Sequence, residues 1–148
     1  MTIVKSNLIQ KLVGRLQADS LTPFAFFGSC CKEELFFQFE ELRQKGVSLD
    51  DFASHPSLAD LLIIAGPVNY KQIGLLQSTY EQMLDPKWVM VIGTCALSGA
   101  HFHSGIVSKN ITEMIPVDMS VLGCPSTLDD LKLAFDDLKT KIRAGKIS

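Results

Sequence analysis

The 148-residue chain has no run of about 18 apolar residues, the length a membrane helix needs. Its longest apolar stretches, Leu61 to Gly66 and Val89 to Gly93, are too short, so the chain is not expected to cross a bilayer itself. Clusters of positive charge are missing too. Lys and Arg number 14 against 16 Asp and Glu, scattered along the chain with a net charge of −2, which leaves no electrostatic footprint for nucleic acid. No signal peptide is read at the start, and structural disulfides, which need an oxidising compartment, are not expected. Internal repeats, low-complexity tracts and linkers are absent, so residues 1–148 are read as one domain.

Cysteine is scarce and its placement is selective. The four cysteines occur in Gly28-Ser29-Cys30-Cys31, Gly93-Thr94-Cys95-Ala96 and Gly123-Cys124-Pro125, each context following what reads as a β-strand. Four thiolates are the ligand count of one [4Fe–4S] cluster, and glycine beside them lets the backbone approach closely. Zinc is the rival metal, but its sites favour Cys-x2–4-Cys pairs, whereas Cys30 and Cys31 are adjacent and their side chains diverge. Inert buried thiols are the plain alternative, since cysteine is commonly buried. The backbone N–H groups around Gly28, Gly93 and Gly123 are expected as donors that tune a cluster.

Between these contexts, strands and helices alternate. Residues Ile3 to Leu16 carry apolar side chains at helical spacing, so residues 1–18 read as an amphipathic helix suited to docking on a partner. Phe24 to Phe27 reads as a strand, a helix follows from about Glu33 to Lys45 with Gly46 as its stop, and Asp60 to Ala65 is a second strand. Tyr70 to Leu84 reads as helix and Trp88 to Ile92 as the third strand. Ala96 to Asn110 is expected to be loop, and Met114 to Met119 the fourth strand, followed by a short extended piece. The last helix runs from about Leu128 to Arg143 behind a Thr127 cap. This order argues a three-layer α/β domain with a mostly parallel sheet, and right-handed crossovers put every Cys-bearing loop at one sheet edge. A mean hydropathy of +0.21 and the stretch Leu35-Phe36-Phe37-Gln38-Phe39 point to surface covered by other subunits.

The ordered set of Cys30-Cys31, then Asp60-Leu61-Leu62-Ile63-Ile64-Ala65-Gly66-Pro67-Val68, then Asp85 to Ala96, then Ile115 to Pro125 resembles the iron–sulfur subunit shared by respiratory complex I and membrane-bound [NiFe] hydrogenases. That resemblance implies a flavodoxin-like fold and one [4Fe–4S] cluster on Cys30, Cys31, Cys95 and Cys124. It also implies an electron-transfer role in an oxidoreductase complex of the quinone-reductase or group 4 hydrogenase-related type. Implied partners are a large catalytic subunit, a further iron–sulfur subunit as electron donor, and membrane subunits holding the chain peripherally on the cytoplasmic side. Tandem cysteines look like the complex I branch. By contrast, Lys32-Glu33-Glu34-Leu35, Pro56-Ser57-Leu58-Ala59 and Gly123-Cys124-Pro125-Ser126-Thr127-Leu128 depart from its patterns, in the parts that serve quinone. A zinc or scaffold module that uses the same four thiolates without electron transfer is the alternative.

Glu34, three residues after Cys31, matches the family's acidic residue and is the candidate for coupling proton movement, with ordinary helix-dipole stabilisation as the plain reading. His101 and His103 form a His-x-His pair that more often marks surface than a metal site. Asp118 is expected to contact a partner or cap a loop. The turn at Gly66, Pro67 and Asn69 ends the one strand without a cysteine and is expected to border the cluster.

Overall fold

A computed structural model describes residues 2–28, 31–99, 107 and 110–145. Two purely apolar strands, β2 (Leu61–Ala65) and β3 (Trp88–Ile92), are buried along their whole length at the centre of a parallel sheet. β1 (Pro23–Phe27) and β4 (Met119–Val121) flank them, giving the order β1-β2-β3-β4 with Pro23 beside Leu61, Leu61 beside Trp88 and Met90 beside Met119. Continuous burial requires cover on both faces, and helices supply it. Leu61, Ile63, Trp88, Met90 and Ile92 pack with Ala18 of α1 (Thr2–Asp19), Leu35 and Leu42 of α2 (Cys31–Gln44), and Phe135 and Leu138 of α5 (Leu128–Ala144). The alternate residues Leu62, Ile64, Val89 and Val91 pack with Leu76 of α3 (Tyr70–Gln82), Ala96 of α4 (Thr94–Ser98), Ile111 and Ile115. The period of two thus sorts each strand between two cores in a three-layer α/β arrangement.

A flavodoxin-like sheet runs 2-1-3-4-5. Here the four described strands supply 1-3-4-5, and the irregular stretch after α2 lies where the second would sit. The Asp50 amide donates to Leu21 O at 3.0 Å and the Ala53 amide to Pro23 O at 2.8 Å, so this stretch runs beside the outer edge of β1. Lys139 of α5 fastens the same stretch by donating from Nζ to Ser48 O at 2.8 Å. Burial pushes the Lys139 ammonium below the usual lysine range, opposed by nearby Asp19.

Two expected elements fall elsewhere. The fourth strand is Met119–Val121, not Met114 to Met119. Pro116 lacks an amide for the ladder, and Ile111–Glu113 winds as a 3-10 turn, with Met114 N and Ile115 N both donating to Ile111 O. Thr94–Ser98 is helical rather than loop, closed by Gly99 in the left-handed conformation at φ 71°. The remaining loop positions 100–106, 108 and 109 lie outside the described residues.

Candidate metal centre

Because all four strands are parallel, their carboxyl ends share one edge, and α2, α4 and the turn before α5 start there. Cys31 opens α2 and is buried, Cys95 is the second residue of α4 and is buried, and Cys124 is exposed in the turn before α5. Cys30 lies outside the described residues, as do His101 and His103.

Gly93 is the hinge between these segments. Its φ of +95° suits glycine, and a Cβ placed on it would sit 3.6 Å from the Cys31 sulfur and 3.7 Å from Gly123 O. The turn after β3 and the helix start carrying Cys31 therefore lie so close that one added carbon would bridge them. Thr94 then ties the Cys95 segment to the Cys124 segment. Its amide donates to Gly123 O at 3.0 Å, its hydroxyl approaches the same carbonyl at 3.3 Å, and Gly123 N approaches that hydroxyl at 3.4 Å. Gly123 folds back so tightly that a Cβ would lie 2.6 Å from Ser126 N, and its φ is +147°, so a side chain is excluded twice over. The turn after β2 adjoins the same edge, because a Cβ on Gly28 would lie 3.0 Å from Pro67 O.

The three glycine amides do not serve as spare donors. Gly28 N donates to Ala65 O at 2.7 Å and Gly93 N to Val121 O at 2.8 Å, while Gly123 N faces Thr94. α2 starts at this edge, so the positive end of its helix dipole lies there.

Glu34 is exposed on the first turn of α2, and its Oε1 accepts from Gln38 Nε2 at 2.8 Å. Asp118 is at the opposite edge. Its carboxylate accepts from Val89 N at 2.8 Å just ahead of β4, and burial raises its pKa against that hydrogen bond and Lys141. Thr94, Gln38 and Ser126 are site residues that sequence reasoning misses. For Thr94 the Gly-Thr-Cys spelling is the available signal, whereas nothing local marks a contact between residues 38 and 126.

Among the described residues no three His, Cys, Asp or Glu side chains are close enough together to hold a metal ion. Chemically, the donors gathered at this edge are soft thiols, the set that iron–sulfur clusters take.

Residues 29–138 match the family described as NADH ubiquinone oxidoreductase, 20 Kd subunit. A subunit of the NADH-quinone oxidoreductase of Mycobacterium sp. (strain JLS) is 34% identical over 141 residues, covering 93% of this chain and 75% of that protein. The corresponding NADH-quinone oxidoreductase subunit of Protochlamydia amoebophila (strain UWE25) is 34% identical over 143 residues, covering 95% and 86%. In structure, a chain of the membrane-bound sulfane sulfur reductase, an archaeal respiratory membrane complex, superposes with a TM-score of 0.81 at 26% identity, covering 93% of this chain and 78% of that one. A chain of an NAD+-reducing [NiFe]-hydrogenase shares the fold with a TM-score of 0.55 at 16% identity, covering 82% and 90%. The chain belongs to the NADH ubiquinone oxidoreductase 20 Kd subunit family and is a subunit of an oxidoreductase complex.

Proposed function

We propose that this chain is an electron-transfer subunit holding one [4Fe–4S] cluster on Cys30, Cys31, Cys95 and Cys124. The observation that carries the reading is the meeting of the Cys31, Cys95 and Cys124 segments around Gly93, Thr94 and Gly123 at the carboxyl edge of the sheet. Ligands of open α/β sheets sit at that edge. When bound, such a cluster supplies one-electron redox chemistry and no bond making.

The chain's own residues then do three things. The cysteines ligate, the buried positions of Cys31 and Cys95 keep water from the sulfurs, and the first-turn amides of α2 favour a negatively charged centre. Glu34, one turn beyond Cys31, is exposed at the same edge, and its proposed role there is to carry a proton once a partner covers it.

The partners proposed are a large catalytic subunit over the cysteine edge, a second iron–sulfur subunit as electron donor, and membrane subunits that hold the chain on the cytoplasmic side. No helix among the described residues is long and apolar enough to cross a membrane. Docking surface is available, since α1 exposes Ile9, Leu12, Val13 and Leu16, and α2 exposes Phe36 and Phe37. Purification of the tagged chain from its source membranes in mild detergent tests the assembly. A brown complex with a large subunit is expected; a colourless chain alone would favour a zinc or scaffold module.

A further inference from the structure

Gln38 lies seven residues, two helical turns, beyond Cys31 on the inward face of α2, and it is buried. Its amide nitrogen donates twice, to Glu34 Oε1 at 2.8 Å and to the main-chain carbonyl of Ser126 at 3.0 Å. Both partners are acceptors, so only an NH2 group serves at that point. Ser126 is two residues after Cys124, and one side chain therefore fastens the helix that begins with Cys31 to the turn that carries Cys124. This link is separate from the Thr94–Gly123 link on the other side of the turn.

A device for stability alone would not look like this. Gln38 Oε1 and Ser126 Oγ are both buried without a hydrogen-bond partner, and an apolar residue at 38 would avoid the cost of that arrangement. The contact fixes position instead: an exposed turn, with Gly123 at its start, is held against the buried face of α2 at a defined distance.

We infer that Gln38 is a positioning residue that sets the Cys124 thiolate relative to Cys31 by anchoring the Ser126 carbonyl, a role that rests on the cluster reading above. Its acceptor is the backbone, so the Ser126 hydroxyl is dispensable. The test compares Gln38→Met, Ser126→Ala and the exposed-site control Gln44→Met in the purified complex. Three readouts serve: iron loss to a chelator, the cluster's spectrum and midpoint potential, and amide exchange at Cys124, Ser126 and Thr127. Gln38→Met is expected to speed iron loss and exchange by about five- to tenfold, the weight of one buried hydrogen bond, and to broaden the spectrum and shift the potential. Ser126→Ala and Gln44→Met are expected to match the wild type. Gln38→Glu keeps the shape and turns the donor into an acceptor, so it carries the same expectation should Gln38→Met fail to assemble.

Wild-type behaviour of Gln38→Met, or a Ser126→Ala effect as large, would overturn the inference. So would failure of both position-38 variants to assemble while Gln44→Met assembles, since that marks a structural role. An iron-free wild-type complex would defeat the cluster reading alone, and amide exchange would still decide whether Gln38 holds the turn.

Discussion

Two aspartates brace the sheet at the edge away from the cysteines. Asp60 accepts from Thr22 N at 2.8 Å, joining the start of β2 to that of β1, as Asp118 does for β4 and β3. Burial pushes the Asp60 carboxyl up to about 6, against the Thr22 hydrogen bond that favours the anion. A raised carboxyl pKa means that the folded state holds its proton more tightly than the unfolded chain. The associated stability is complete below about pH 3.8, fades as pH rises, and is gone above about 6. Asp60→Asn keeps an acceptor for Thr22 and removes the buried charge. It is expected to stabilise the fold at pH 7 by about 1 kcal/mol, a value discounted for the side chain's partial exposure, and to lose that advantage near pH 4. Denaturant unfolding at both pH values checks this, and an advantage that grows towards acid would contradict it.

At the cysteine edge, Glu34→Gln preserves the acceptor for Gln38 while removing the exchangeable proton. The expected outcome is a complex with unchanged cluster content and turnover lowered by about tenfold or more, as for a lost proton-transfer group. Full turnover across the working pH range would reduce Glu34 to a helix-dipole residue.

At the scale of elements, legibility follows boundary chemistry. β3 is legible to the residue because Pro86-Lys87 and Gly93 bracket a purely apolar run. β4 is misplaced from sequence because Met114, Ile115, Val117 and Met119 are apolar; Pro116 is the local signal against a strand there, and the winding of residues 111–113 takes the chain elsewhere. α4 escapes notice because its five residues, Thr94 to Ser98, are too few to show a helical period. The meeting of three cysteine segments at one edge follows from parallel strands, whereas the Thr94 and Gln38 ties that hold them are long-range and leave no local pattern. For α1, periodicity identifies the helix, and the exposed Ile9, Leu12 and Leu16 are the positions proposed to meet a partner. Leu12→Glu is therefore expected to change the isolated chain's stability by less than about 0.5 kcal/mol yet weaken recovery of the complex. Destabilisation of the isolated chain with normal assembly would place that face in the chain's own core.

For the whole molecule, the all-parallel sheet does two jobs at its two ends. The amino-terminal edge is braced by carboxylates, and the carboxyl-terminal edge gathers thiols, turns and helix starts, with glycines at 93 and 123 where side chains would block the approach. Exposed apolar side chains on α1 and α2 suit a chain that functions inside an assembly rather than alone. The most direct test of the central proposal is iron, acid-labile sulfide and zinc analysis of the purified complex, read with electron paramagnetic resonance of the reduced protein and of single Cys→Ser variants at 30, 31, 95 and 124. About four iron and four sulfide assigned to this chain, with one reduced-cluster signal lost or altered in each variant, is the expected result. Stoichiometric zinc with no iron in the wild-type chain would contradict it.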